Sequence, residues 1–203
     1  MGRFKIKKQD TFIDMTPMSD VMVLLLTFFM LTATFVKDEP VKVVAPGSVS
    51  EIKIPETNLL TIFVEKGGKV FMNMDSPKGM EKLAKEMRKS HGLRLTDAEM
   101  KEFVNVAMFG SSKSQMAAWL KLENAERNSY LNDNPKAGIP CDSTHDELKE
   151  WVGAARAVCG EDMGIAIKAD KTTSYAVIKK VMDSLRSIHE NRYNLITALK
   201  NEE

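Results

Sequence analysis

Apolar residues are concentrated near the start of the chain, where residues 21–36 form sixteen consecutive positions without a charge. Together with residues 17–20 the run reaches about twenty residues, and a helix that rises ~1.5 Å per residue then crosses a hydrocarbon core of ~30 Å. Thr16 and Pro17 are typical of a helix start, with Thr16 as the N-cap and Pro17 at the first helical position. The pattern therefore predicts one transmembrane helix over residues 16–36.

A different pattern follows the predicted helix. Residues 37–58 carry prolines, a glycine and hydroxyl side chains, and they predict an extended linker rather than a packed element. Beyond the linker, apolar and polar residues alternate on both sides of Gly67–Gly68, which predicts a β-hairpin. The residues before the helix, 1–15, form a short basic arm.

The last part of the chain has the pattern of a small domain, which we expect to span residues 59–200. Its predicted elements after the hairpin are a helix opened by the capping box Thr144–Glu147, a strand over residues 164–169, a helix capped by Ser174 and a strand over residues 193–199. The order hairpin, α, β, α, β predicts an α+β fold with the helices packed on one face of the sheet.

A long insertion, at about residues 75–142, separates the hairpin from the first of these helices. We predict that it is mostly helical, with helices over residues 80–90, from the Thr96–Glu99 capping box to Phe109, and over residues 114–128. It contains no G-x-S-x-G, no H-E-x-x-H and no glycine-rich phosphate loop. Two interpretations remain, a surface insertion that packs on the domain or a docking surface for a partner.

Composition and charge exclude several classes of function. The chain has 203 residues, 43% hydrophobic and 28% charged, and its formal net charge of +1 gives no reason to expect a nucleic-acid partner. His91, His145 and His189 lie far apart, and none is spaced from a cysteine or glutamate as metal ligands are. We therefore expect no metal, no cofactor and no enzymatic activity.

The charges that flank the apolar run predict its orientation. Four basic residues precede it, whereas the first sixteen residues after it contain two, Lys37 and Lys42. By the positive-inside rule the N-terminus lies in the cytoplasm and the domain in an oxidising compartment such as the bacterial periplasm. A cleaved signal peptide is the alternative, but the run is long for one, begins with Asp20 and lacks a clear small-x-small cleavage site.

Cys141 and Cys159 are separated by one predicted helix of about fourteen residues, which spans ~20 Å. Since the Cα atoms of bridged cysteines lie within ~7 Å of each other, a disulfide between the two is disfavoured unless the helix breaks near Gly153. Free thiols and a bridge between two chains are the remaining options.

A carboxylate lies inside the apolar run. An ionised aspartate near the middle of a membrane helix costs on the order of 3 kcal/mol, so Asp20 needs a compensating environment or a bound proton. Helical positions seven apart lie within ~20° of each other, which places Asp20, Thr27 and Thr34 on one polar line. Thr16 lies one turn before Asp20, close to the same line.

Two interpretations of this polar line remain. In the first, Asp20 reaches the membrane interface and the threonines bond their own backbone. In the second, the line faces another helix or a wet cavity, and Asp20 takes a proton from one side of the membrane and releases it to the other.

The stretch Asp14–Met22 (DMTPMSDVM), followed by an apolar helix, resembles the ExbD/TolR family of biopolymer-transport proteins, in which T-P-x-x-D-V-M opens a single membrane helix. Two further segments resemble motifs of that family. Residues 52–56, with Ile54 and Pro55, are similar to its L-P segment near the end of the linker. Residues 168–185 are similar to its R/K-A-D…Y…V-M-D-x-L signature.

The resemblance implies partners and a role. Such proteins work as helix pairs, formed with a second copy of the chain, inside a ring of ExbB/TolQ-like subunits of the bacterial inner membrane. Their motif aspartate, here Asp20, carries protons down the gradient, and movement passes to the periplasmic domain and a TonB- or TolA-like partner. The family's domain dimerises and engages an extended partner segment at a sheet edge. The insertion departs from the family's pattern and leaves the partner of this chain open.

We therefore expect a proton-driven energy-transducing subunit that powers outer-membrane transport or a related envelope process. Asp20 is the carrier, and the linker transmits force or seals the channel at rest. The carrier's path is lined by the other members of the polar line, Thr16, Thr27 and Thr34. Two alternatives remain, a non-conducting membrane-tethered periplasmic adaptor and a motility stator subunit. Either H⁺ or Na⁺ fits the pattern, and a lone carboxylate favours H⁺.

Overall fold

The structure of the chain is a computed structural model, and it describes residues 15–33, 39–48, 58–142, 145–196 and 198–199. The chain forms two compact units, Met1–Lys37 and Asp38–Glu203. The predicted basic arm, residues 1–15, lies outside the described residues except for Met15.

The helix of the first unit is α1, Thr16–Thr32. Met15 occupies its N-cap position with nearly helical dihedral angles (φ −87°, ψ −1°), and Ser19 donates its backbone N–H to the carbonyl oxygen of Met15 at 3.0 Å. The prediction of Thr16 as N-cap was therefore wrong by one residue, and Pro17 is the second helical residue. No helix within the described ranges is both long and apolar enough to cross a membrane, and α1 has 17 residues.

The second unit is built on a mixed sheet. Its strands in the described ranges are β1 Gly47–Ser48, β2 Leu59–Val64, β3 Val70–Met74, β4 Gly164–Ala169, β5 Asn194–Leu195 and β6 Ala198–Leu199. Four of them form one sheet in the order β3-β2-β4-β5, in which β2 and β3 are an antiparallel hairpin and the other pairs are parallel. The predicted hairpin and the predicted strand over residues 164–169 are confirmed. The predicted final strand over residues 193–199 is split, because β5 pairs with β4 whereas β6 pairs in parallel with β1.

Helices connect the strands in the predicted order. Those of the second unit are α2 Pro77–Ser90, α3 Asp97–Asn105, α4 Met116–Leu120, α5 Asn124–Asp133, α6 Glu147–Cys159 and α7 Tyr175–Ser187. The hairpin is followed by α6, β4, α7 and β5, which is the predicted α+β arrangement, and α2 to α5 belong to the insertion.

Polar side chains mark the helix starts. Ser174 caps α7 as predicted, and the Thr96–Glu99 capping box at the start of α3 is present with both of its hydrogen bonds. At α6 the cap is Asp146, whose carboxylate accepts a backbone N–H of the first turn at 3.3 Å. The predicted capping box of Thr144 and Glu147 was wrong, because aspartate is as good a cap as threonine and Asp146 directly precedes the helix. Thr144 itself lies outside the described residues.

Different parts of the chain cover the two faces of the sheet. Met74 lies on the face next to α2, where its sulfur is close to Gly79, and the same sulfur lies 3.9 Å from that of Cys159 at the end of α6. Because neighbouring strand residues point to opposite faces, Phe63, Phe71 and Lys168 share the other face. Phe63 and Phe71 are buried there, and Lys168 bonds to Glu39 from the predicted linker. The second face is therefore covered as well.

The insertion shares one core with the rest of the domain. The ring centroids of Phe103 and Phe109 lie 5.9 and 4.8 Å from that of Trp151 in α6, and all three side chains are buried. The insertion does pack on the domain as one interpretation proposed, but it supplies core residues rather than a surface layer.

Two predicted helices of the insertion have different bounds. α3 ends at Asn105 and not at Phe109, because Phe109 forms a β-bridge with Met72 of the hairpin. The predicted helix over residues 114–128 is two helices, α4 and α5.

Residues 39–48 pack on the domain, and we call them the docked segment. Val41 and Val43 are 2% and 7% exposed, and β1 within this segment pairs with β6. The expectation that residues 37–58 contain no packed element is therefore wrong for the docked segment. Ile54 and Pro55 lie outside the described residues.

Candidate functional site

α1 presents Asp20 and Thr27 along one line. The two lie seven residues apart in the helix, so they point within ~20° of each other around its axis. Thr16 lies one turn before Asp20, whereas Thr34 lies outside the described residues. Asp20 is the only ionisable side chain between residues 15 and 33. Within residues 15–33, Asp20 is therefore the one side chain of the helix that can carry a charge.

Thr27 bonds its own helix. Its hydroxyl donates to the carbonyl oxygens of Val23 and Leu24, each at 2.9 Å, and Ser19 and Thr32 bond their helix in the same way. This is the backbone bonding that one interpretation of the polar line allowed. Since a hydroxyl has one hydrogen and two lone pairs, Thr27 can still accept a hydrogen bond from a neighbouring group.

Apart from this line and the hydroxyls of Ser19 and Thr32, which bond their own helix, the surface of α1 is apolar. Its large apolar side chains are all more than half exposed within the structure, with Met30 and Leu31 at 80% and 87%. A helix that is hydrophobic all round is stable when lipid or other helices cover it.

The docked segment is a second candidate site, in the α+β unit. Glu39 and Lys168 form an ion pair at 2.9 Å, and the Lys168 ammonium also lies 5.2 Å from the ring centroid of Phe63. Further along the segment, Asn132 of α5 donates to the carbonyl oxygen of Pro40 at 3.1 Å. The segment is thus held by both the sheet and the insertion.

Asp170 fixes the docked segment to the end of β4. Its carboxylate accepts hydrogen bonds from the Thr172 hydroxyl at 2.6 Å, from the Thr172 backbone N–H at 2.9 Å and from the Val44 backbone N–H at 3.2 Å. The Val44 carbonyl in turn accepts the N–H of Lys171 at 2.9 Å. The two Thr172 donors, followed by Val44 and the charge of Lys171, hold the pKa of Asp170 below its ordinary value. The carboxylate is therefore ionised at neutral pH.

Metal and thiol chemistry find no support in the described ranges. No three or more histidine, cysteine, aspartate or glutamate side chains lie together there as a metal site requires. Cys141 and Cys159 are unbridged, and burial raises the pKa of both thiols. A thiol that stays protonated at neutral pH is a poor nucleophile and metal ligand.

Sequence reasoning missed the docked segment. Its signal was present, because Val41 and Val43 alternate with Lys42 and Val44, and alternation of this kind indicates a half-buried strand. Pro40 and Pro46 flank these four residues, and prolines at this spacing are typical of a linker.

Residues 7–199, nearly the whole chain, match the family model described as Biopolymer transport protein ExbD/TolR. The chain belongs to the ExbD/TolR family. The resemblance found in the membrane motif and in residues 168–185 is thereby confirmed. Neither the curated proteins nor the solved structures gave a significant match.

Membership fixes the general role and setting of this ExbD/TolR protein. The family serves biopolymer transport, and its members are generally anchored in the inner membrane with a periplasmic domain. They partner ExbB/TolQ-like and TonB/TolA-like proteins, and they are not enzymes. The mixed α/β sheet of the second unit fits the periplasmic domain of the family.

Proposed function

We propose that this chain is the proton-carrying subunit of an inner-membrane ExbB–ExbD-like complex and that Asp20 is its carrier. The observation that supports this most is the position of Asp20, the single ionisable group on an otherwise apolar helix and in line with Thr27. Because a carboxyl group is costly to bury in such a helix, its presence there supports a functional role for Asp20. Moving one charge through a membrane potential yields ~2.3 kcal/mol per 100 mV, which drives rearrangement of one helix against its neighbours.

In this proposal the single membrane span covers residues 16–36. Thr16, Thr27 and Thr34 line the proton path, and Pro17 sets the helix start. The N-terminus is cytoplasmic and the α+β domain periplasmic. A second copy of the chain pairs with the first inside an ExbB/TolQ-like ring.

In this proposal the docked segment is the position of the linker when the complex is at rest. Residues 39–48 directly follow the proposed span and are held by Glu39–Lys168 and by the bonds of Val44. A displacement of the membrane helix pulls on this segment first. Its release passes the movement to the domain and a TonB- or TolA-like partner, and the segment with Ile54 and Pro55 continues the same connection.

Proton flux into proteoliposomes that hold this chain with its ring partner tests the proposal. We expect Asp20→Asn to abolish flux with normal assembly, because the amide has a similar shape and cannot carry a proton. Ser19→Ala is the matched control, since Ser19 adjoins Asp20 off the polar line and bonds only its own helix. To exclude a closed resting state, both are repeated with Val41→Ser/Val43→Ser, which opens the docked segment. Equal flux in all variants would show that Asp20 is not the carrier, and silence in all opened variants would leave the non-conducting adaptor as the function.

A further inference from the structure

The hairpin holds the last turn of α5 through Lys69. Its ammonium group donates to the carbonyl oxygens of Leu131 and Asn132, at 3.1 and 2.7 Å. Both carbonyls belong to the last turn of the helix, where backbone oxygens lack partners within the helix and a positive charge is stabilising. The same ammonium lies 3.7 Å from Glu65, and the Lys69 side chain is 15% exposed. The hairpin therefore sets the position of this turn of the insertion.

Asn132 connects this turn to the docked segment. Its side-chain amide nitrogen donates to the carbonyl oxygen of Pro40 at 3.1 Å and to that of Asn128, one turn earlier in α5, at 2.9 Å. An asparagine amide nitrogen carries two hydrogens, so both are used, and the second bond fixes the direction of the first. Lys69, Asn132 and Pro40 thus form a chain of two contacts from the hairpin through the insertion to the docked segment.

The other end of α5 is fixed as well. Arg127 donates to the carbonyl oxygens of Leu120 and Leu122, each at 2.7 Å. A cleft of about 250 Å³, whose lining includes Pro40 and Arg127, opens between the docked segment and the first turns of α5. The helix is therefore held at both ends, and its hydrogen bond to the docked segment is made at the end that the hairpin holds.

We propose that the insertion is a latch on the docked segment, in which Lys69 keeps the last turn of α5 in place and Asn132 keeps Pro40. Movement of α5 away from the hairpin then releases residues 39–48. This inference rests on the proposed function, in which release of the docked segment passes movement to the domain, and it names the residues that set when release occurs. Because coupling between two sites is reciprocal, release of the segment should also loosen the last turn of α5.

Hydrogen exchange of the full chain in lipid nanodiscs tests the latch at Asn132. Asn132→Ala removes the bond to Pro40, and we expect exchange over residues 41–46 to become about 2- to 10-fold faster, as the loss of one hydrogen bond predicts. Exchange over β2 and α6 should stay unchanged. Asn128→Ala is the matched control, because it makes the same change at an exposed position of the same helix and keeps the backbone carbonyl that Asn132 bonds.

A second pair of variants tests whether the hairpin acts through Asn132. Lys69→Met is made together with Glu65→Gln, so that no carboxylate loses its partner, and Glu65→Gln alone is the control, since it keeps both bonds to α5. Relative to that control, Lys69→Met should speed exchange over residues 41–46 by about 2- to 10-fold. In a chain that already carries Asn132→Ala it should have no such effect, because residues in one network are not additive.

Three results would overturn the inference. One is unchanged exchange over residues 41–46 in Asn132→Ala. Another is an equal acceleration in Asn128→Ala, or one that extends equally to β2 and α6. The third is an effect of Lys69→Met that Asn132→Ala leaves undiminished, which would mean that the hairpin acts on the docked segment by a different route.

The measurement is independent of the role of Asp20. Proton flux is not part of it, so loss of the proposed carrier function leaves the exchange result valid. Conversely, unchanged exchange in Asn132→Ala together with flux that depends on Asp20 would remove the latch and leave the proposed function in place.

Discussion

The carboxylate of Asp170 accepts the backbone N–H of Val44, a residue 126 positions earlier in the chain, at 3.2 Å. With the return bond from Lys171 N–H to the Val44 carbonyl at 2.9 Å, it ties the docked segment to the end of β4. These two hydrogen bonds therefore connect the segment before the domain's first long strand to the loop between β4 and α7.

Asp170→Asn should loosen the docked segment. The amide keeps the shape of the side chain but not its charge, so the bond from Val44 weakens, and we expect faster hydrogen exchange over residues 41–46. Asp183→Asn, at an exposed position of α7, is the control and should leave this exchange unchanged.

The same bond predicts a pH dependence. The pKa of Asp170 in the docked state is below its ordinary value, so its stabilising contribution is complete above the ordinary aspartate pKa of about 4 and is lost as the pH falls through the lowered pKa. The docked segment should therefore open in acid and stay closed from neutral to alkaline pH. Asp170→Asn should abolish this acid opening, and its persistence in the variant would assign it to another group.

The sequence predicted those elements whose signals are local. The hairpin follows from alternation around Gly67–Gly68, and α7 follows from Ser174 and the apolar stripe after it. Both signals lie within a few residues of the element that they specify. The membrane motif around Asp20 is equally local and carried the family resemblance.

The elements that it missed depend on distant residues. Phe109 has the spacing of a helical residue, but its pairing with Met72 and its packing on Trp151 end α3 earlier. Val41 and Val43 are buried because the docked segment is held to β4 and α5 by bonds to residues more than 90 positions away, and no local pattern reports those bonds. Tertiary contacts of this kind override local propensity.

Thr27→Val should reduce proton flux by a few-fold without impairing assembly. The change removes the oxygen that can accept a hydrogen bond on the Asp20 line and keeps the volume and branching of the side chain. One hydrogen bond contributes about 0.5–1.5 kcal/mol, which corresponds to a roughly 2- to 10-fold effect. The measurement is flux in proteoliposomes with the ring partner.

Thr27→Ser is the matched control for this change, because it restores the hydroxyl, and its flux should equal that of the wild type. Equal flux in Thr27→Val would remove Thr27 from the proton path and leave Asp20 as the only supported member of the polar line.

Phe103→Ala should destabilise the whole α+β unit and not the insertion alone. Phe103 is 0% exposed and stacks on Trp151, and truncation of a buried phenylalanine costs about 3–5 kcal/mol. We expect one cooperative transition in chemical denaturation, shifted to lower denaturant. The exposed Ala98 on the same helix offers a control, and Ala98→Ser should change stability by less than about 0.5 kcal/mol. A separate early transition of the insertion, with the rest unchanged, would contradict the shared core.

Gly110→Ala tests how tightly the insertion closes the β3 edge. The new methyl group would lie 2.1 Å from a ring carbon of Phe71, so either the ring or the insertion loop must move. Overpacking of this size costs about 1–3 kcal/mol, and the Met72–Phe109 hydrogen bonds beside it should exchange faster. Gly153→Ala is the matched control, because a Cβ at that position would meet no packing neighbour within 4 Å and alanine favours the interior of α6 by up to ~1 kcal/mol. The midpoint of chemical denaturation should thus fall in Gly110→Ala and rise in Gly153→Ala.

Combining Gly110→Ala with Phe71→Leu should recover part of the stability that Gly110→Ala loses, since the smaller side chain makes room for the methyl group. If Phe71→Leu recovers none of that stability, the strain lies in the loop backbone instead.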